Sequence, residues 1–215
     1  MDAVIENLPR YLSGFSMTLQ LLVVAGIAAS ILGTLIAAMR ISPVASLRGF
    51  ATVYTELVRN TPLTLVLFFC AFILPYFGVD LDYMVLAMIG LSVYTSPFVA
   101  EALRSGINGV PIGQAEAARS LGLGFGQSVT LVILPQAFRM TIPPLINVFI
   151  ALTKNTSVAG GFFVAELFTI GKELANANGN AVIAILLGVA TFYLIITVPL
   201  GLLAGRIEKR VAVQR

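Results

Sequence analysis

The sequence contains no histidine and no tryptophan, and its 215 residues include one cysteine, Cys70. Without histidine there is no imidazole to activate a nucleophile, carry a proton near neutral pH or ligate zinc. A single cysteine cannot form an internal disulfide. Within Leu-Phe-Phe-Cys-Ala-Phe it reads as a small buried hydrophobe. Charge is scarce: 11% of residues are Asp, Glu, Lys or Arg, against about 25% in soluble domains. Hydrophobic residues make up 58% of the chain, and the mean hydropathy is +0.97. Too few polar groups remain to cover a water-facing surface, so the chain is expected in a lipid bilayer. The net charge of +3 therefore takes its meaning from placement and does not indicate nucleic-acid binding. Gly122-Leu123-Gly124-Phe125-Gly126 lacks the Gly-Lys-Ser/Thr ending of a phosphate loop. No catalytic constellation and no metal-ligand cluster is expected.

Five apolar runs, at residues 17–39, 61–77, 83–103, 128–152 and 181–205, are each long enough to cross a membrane. The expected fold is an all-α membrane protein in one transmembrane domain, 1–215. Residues 1–16 are mixed in character, lack the basic start and small-residue cleavage site of a signal peptide, and suggest a short interfacial helix over 7–16. In the first run Gly26, Ala29, Gly33 and Ala37 form a small-residue stripe against which another helix can approach. Residues 48–58 are expected to be helical, running along or into the membrane. The third run is expected to be interrupted at Ser96-Pro97, and the fourth contains Pro143-Pro144. Residues 154–180 are more polar, apart from an apolar interlude over 162–170. Arg40, Arg48, Arg59, Arg104, Arg119, Arg206, Lys209, Arg210 and Arg215 fall on one side, while Arg10, Lys172 and Lys154 fall on the other. By the positive-inside rule the N-terminus is outside and the C-terminus cytoplasmic.

Between the third and fourth runs lies a loop, about 112–127, on the same side as the C-terminus. Residues 114–121 can make two helical turns, with Glu116 and Arg119 spaced i,i+3 as a pair. Ala115, Ala117, Ala118 and Leu121 give a smooth face. Gly122, Gly124 and Gly126 then break the helix. Glu116-Ala117-Ala118, then Gly122, then Ile133-Leu134-Pro135, resembles the EAA loop of ABC-importer permease subunits. The resemblance implies the type I ABC importer permease fold, with 112–127 as a coupling helix that docks into a cytoplasmic ATPase subunit. That interpretation places the loop in the cytoplasm, in agreement with the charge bias.

Polar groups in or beside the spans are costly in hydrocarbon and are functional candidates. They form three clusters. The first is Arg59-Asn60-Thr61-Pro62, where Glu56 and Arg59 can pair at i,i+3 and Thr61 can bond locally. The second is Tyr94-Thr95-Ser96-Pro97 with Glu101, whose hydroxyls either line a cavity or bond between helices. The third is Lys154-Asn155-Thr156-Ser157 after the two prolines, offering a cation, an amide and hydroxyls. Together with Phe98–Ile107, these clusters resemble the polar amino-acid subfamily of ABC permeases (glutamate, glutamine, histidine, arginine, opines), and the permeases of actinobacterial glutamate uptake systems in particular. The resemblance is good over residues 44–157 and topological at the ends. It implies a permease half for a polar amino acid, glutamate first, with Arg59, Asn60, Thr61, Ser96, Glu101, Lys154, Asn155, Thr156 and Ser157 along the substrate pathway. The implied partners are a cytoplasmic ATPase dimer that binds ATP and magnesium, a second permease subunit (homologous, or a second copy) and an extracellular solute-binding protein. The implied location is the cell membrane, and no nucleic acid is involved. Asn155 is a departure from that resemblance, since several members of the subfamily carry an acid or another residue there. A self-contained secondary transporter or channel would instead show inverted repeats or intramembrane carboxylates; the sequence shows no repeat.

Overall fold

A computed structural model describes residues 2–212, with side-chain burial for 4–210. Among the described residues all regular structure is helical. After a short turn, Asp2–Glu6, the elements are α1 (Leu8–Arg40), α2 (Ala45–Arg59), α3 (Leu63–Tyr76), α4 (Tyr83–Asn108), α5 (Ile112–Ser120), α6 (Leu134–Asn155), α7 (Leu167–Ala177) and α8 (Val182–Ala212). A helical lead-in, Phe125–Gln127 and Ser128–Ile133, enters α6, and a 3₁₀ segment, Thr156–Phe162, leaves it. Among the described residues four stretches are long and apolar enough to cross a bilayer: Leu8–Arg40, Tyr83–Asn108, Phe125–Phe162 and Val182–Arg210. The fifth is a bent pair, α2 and α3, which meet at 101°. With 14 residues, α3 is only about 21 Å long, short of the roughly 30 Å hydrocarbon core. The run at 61–77 is thus one limb of a broken span.

The expected interfacial helix over 7–16 is instead continuous with the first span. α1 has 33 residues and is about 50 Å long. Nothing in Leu8–Met17 breaks a helix once Pro9 is spent in the first turn, where its missing N–H costs nothing. The interruption expected at Ser96-Pro97 is likewise absent, and α4 runs straight through it. Pro97 cannot donate to the carbonyl of Val93, but two hydroxyls take its place: Tyr54 from α2 at 3.1 Å and Ser96 at 3.0 Å. The missing N–H is compensated from a neighbouring helix, as membrane helices require.

α4 is the central element, packed on α1, α2, α3 and α6, while α8 packs on the far side of α6. The small-residue stripe of α1 does what its spacing predicts. A Cβ at Gly33 would sit 2.6 Å from the Ser96 carbonyl oxygen on α4, so only glycine allows this approach. Lipid is as apolar as leucine, so close packing rather than burial holds such helices together. The core along this seam contains Leu21, Ala25, Leu67, Leu91 and Leu152. A second core surrounds α7, which is wedged between α1 and α8, and contains Tyr11, Leu167, Leu174 and Ile185. Two π-helical turns, Phe69–Ile73 and Ser128–Ile133, each run directly into Leu-Pro: Leu74-Pro75 and Leu134-Pro135. In both places the wider turn absorbs the proline's missing donor.

Candidate transport site

Between α4 and α6 lies a cavity of about 420 Å³. α4 contributes Tyr94, Thr95 and Phe98, and α6 contributes Asn147, Ala151 and Asn155. The α6 residues are spaced by four and share one face. The Thr95 side chain is buried and its Oγ1 has no hydrogen-bond partner among the described residues. An unsatisfied buried hydroxyl beside a cavity is a donor available to a ligand. The lining is thus mostly apolar and aromatic, with two amides, the hydroxyls of Tyr94 and Thr95, and no charged group. Its edge meets a cation, because the Arg59 guanidinium lies over the Phe98 ring, 5.6 Å from its centroid.

Of the nine residues expected along the pathway, Asn155 alone lines this cavity. Ser96 is fully buried and bonded to Tyr54 Oη at 2.9 Å; of the two roles open to that cluster it takes the interhelical one, while Tyr94 and Thr95 take the other. Asn60 and Thr61 close the last turn of α2, bonding the carbonyls of Glu56 at 2.7 Å and Leu57 at 2.8 Å. Lys154 is exposed and Ser157 bonds back to its carbonyl at 2.7 Å. Thr156 is fully buried and bonds to the Thr153 carbonyl at 2.7 Å. The expected Glu56–Arg59 pair does not form. Arg59 turns to Glu101 on α4, 3.8 Å away, and Glu56 is exposed. Glu101 also pairs tightly with Arg40 from α1 and lies 3.7 Å from Arg104. Arg215, assigned to the same basic side, lies outside the described residues.

At this same end sits α5, built as the glycine pattern predicts. Gly122 adopts φ +80°. The Leu123 N–H bonds the Ala118 carbonyl at 3.1 Å and the Gly122 N–H bonds the Arg119 carbonyl at 2.9 Å. This is a Schellman cap, which favours glycine at the left-handed position. Ala118 is buried against the chain itself, where α5 packs on the Ser128–Ile133 turn, so it is not part of an outward face. Glu116 and Ala117 are exposed, and among the described residues no ion pair joins Glu116 to Arg119. Ile133, Leu134 and Pro135 form the junction where the π turn enters α6. The outward apolar residues are Ile112, Leu121 and Phe125, 79%, 82% and 77% exposed.

Residues 16–213 match the model of a family described as the binding-protein-dependent transport system inner membrane component. The chain belongs to this family. Among individual relatives, this membrane component is 44% identical to the glutamate transport system permease protein GluC of Corynebacterium glutamicum, over 96% of each chain. It is 39% identical to the probable glutamine ABC transporter permease protein GlnM of Bacillus subtilis, over 98% of this chain and 97% of the other. Among solved structures it is similar to a chain from an amino acid ABC transporter crystallised with histidines, at TM-score 0.88, 29% identity and 96% coverage of both. A chain of the MetNI methionine ABC transporter, at TM-score 0.75 and 22% identity, shares the fold.

Sequence reasoning missed two residues of this inner-membrane component. Asn147 lies two turns before Asn155, in the apolar stretch Ile142–Leu152 where it is the one polar side chain, and that was the available signal. By its position in the sequence Glu166 stands near a span end, yet it is fully buried. It caps α7, accepting from the Phe168 and Thr169 N–H groups at 2.7 and 2.8 Å, from Thr169 Oγ1 at 3.0 Å and from Tyr193 Oη on α8 at 2.9 Å. Burial raises its carboxyl above the ordinary carboxylate range, and these four donors offset part of the rise.

Proposed function

We propose that the chain is the membrane-spanning subunit of an ATP-driven ABC importer for a polar amino acid, glutamate in the first place. It is not itself an enzyme; a separate cytoplasmic ATPase dimer binds ATP and magnesium. It works with a second permease subunit, either a homologue or a second copy, and receives its substrate from an extracellular solute-binding protein. The N-terminus is outside, and α5 and the C-terminus are cytoplasmic. The observation that carries this reading is α5 with its cap, on the basic side of the chain, where Ile112, Leu121 and Phe125 are exposed with nothing among the described residues to cover them. An exposed apolar cluster of this kind marks a protein contact, and a cytoplasmic ATPase subunit is the partner that fits. Glutamate is supported by the relatives named for its transport. The proposed route passes the cavity between α4 and α6, with Thr95, Asn147 and Asn155 as neutral hydrogen-bonding groups. Arg59 and Glu101 follow, and Lys154–Ser157 stands at the far end. Neutral Asn155 suits an acidic substrate better than a carboxylate would. Purification of the tagged chain from its own membranes tests the assembly. Recovery with an ATP-hydrolysing subunit is expected, and a chain that purifies alone and still moves glutamate without ATP contradicts the reading.

A further inference from the structure

Three guanidiniums share one carboxylate at the α5 end of the bundle. Glu101 Oε1 pairs tightly with Arg40 and lies 3.8 Å from Arg59, while Oε2 lies 3.7 Å from Arg104. The two looser distances exceed hydrogen-bond length, which ends near 3.2 Å. Each guanidinium carries five donors, and Arg104 Nε is buried without an acceptor. The environments divide the same way. The Arg40 side chain is 12% exposed, whereas Arg59 and Arg104 are 39% and 43% exposed. Arg40–Glu101 is thus a fixed frame, and Arg59 and Arg104 hold donors in reserve. Beside them is a second cavity, of about 450 Å³, lined by Glu101, Arg104, Ser105, Asn108 and Gly109. Tyr94, Phe98, Glu101, Ser105 and Asn108 recur at three- and four-residue steps, so both cavities open on one face of α4. From Phe98 to Ser105 the separation along the helix is about 10 Å. Arg59 reaches toward both: its guanidinium covers Phe98 of the first cavity and faces Glu101 of the second.

We propose that Arg59 and Arg104 form a second binding station, specific for a carboxylate, through which an anionic substrate passes after the first cavity. This rests on the reading of the chain as an importer of an acidic amino acid, and adds that these arginines set its charge preference. A substrate carboxylate displaces Glu101 from its two loose partners and gains the charge-assisted bonds that Glu101 does not make, while Arg40 keeps Glu101 neutralised. The half-exposed setting keeps binding weak enough for release, and a cationic amino acid is repelled.

The test uses the complete importer, with its partner permease, ATPase and binding protein, in vesicles. Uptake of glutamate is compared with uptake of glutamine, a neutral molecule of the same shape. Arg59→Gln with Arg104→Gln is expected to lower the glutamate-to-glutamine ratio roughly tenfold. Lysine at both positions should retain at least half of the preference, and Arg10→Gln at the opposite end should not change it. An unchanged ratio in the double glutamine variant overturns the proposal. So does an effect confined to vesicles containing anionic lipid, which would assign the arginines to headgroups.

A second readout is independent of transport. Cys70→Ser with Asn108→Cys places one thiol in the second cavity. Glutarate, but not glutaramide, should slow its alkylation at least threefold, and the double glutamine change should abolish that protection. Protection without glutamate uptake would leave the station standing and remove the transport reading. Uptake without protection would do the opposite.

Discussion

Thr95 makes the strongest claim of any single residue. Its hydroxyl is buried and unbonded, so it costs stability in the empty protein and repays it only with a ligand. Thr95→Val removes the orphan group while keeping the shape. The expected result is an equal or higher thermal midpoint, by about 1 kcal/mol of stability, together with slower uptake at low substrate. A lower midpoint with unchanged uptake would show that the hydroxyl is structural. Glu166 gives the opposite case, a carboxyl satisfied four times over but fully buried. Its folded pKa is raised, so the folded state holds the proton to higher pH than the unfolded chain does. Its contribution to stability is full below the ordinary value, about 4.3, and falls as pH rises through the raised value. Thermal melts of the solubilised protein should show this decline between those two values, and Glu166→Gln should flatten it; a decline of equal slope in the variant would assign it to other groups. Thr95 was legible only as one hydroxyl of the Tyr94–Pro97 cluster, for which cavity lining and interhelical bonding both stood open. The burial of Glu166 was not legible, because Tyr193 of α8, which bonds it, is distant in the chain.

The helices themselves were largely readable, because apolar runs of twenty residues have few alternatives. What failed were the boundaries and breaks. Pro97 was expected to interrupt α4 because the compensating donor, Tyr54, sits on another helix, 39 residues before the Val93 carbonyl it serves. α3 looked like a full span because hydropathy does not register a 101° bend. α7, with 11 residues, is too short to stand out from a polar stretch. α5, by contrast, was legible in detail, since its stop depends on local backbone geometry. Gly122 holds φ +80°, where a β-branched residue costs about 1–2 kcal/mol or more. Gly122→Val should therefore unwind the last turn of α5, shifting Leu121 and Phe125. ATPase activity stimulated by loaded binding protein should drop several-fold while the amount of chain in the membrane stays the same. Stimulation at the normal level would separate the cap from coupling.

At the scale of the whole molecule, one face of α4 connects two cavities and an arginine cluster to the α5 end, and the charge bias sets which side that end faces. The orientation is checked by cysteine labelling on a Cys70→Ser background. A thiol at Asp80 should react from outside and one at Arg210 only from within, and the reverse pattern would invert the topology. The family and its fold were legible because the EAA loop and the span count agree, while the cavity lining was not, because it combines residues of α4 and α6 that no local pattern links. The central claim is that this subunit couples ATP hydrolysis elsewhere to movement of a polar amino acid through itself. The measurement that tests it most directly is uptake of labelled glutamate into vesicles holding the assembled complex, with ATP inside or outside and with Leu121→Asp as the uncoupled control. The account predicts uptake only when ATP is on the α5 side and binding protein on the other, and its loss in the variant. Uptake driven by an ion gradient without ATP, or undiminished in Leu121→Asp, would contradict it.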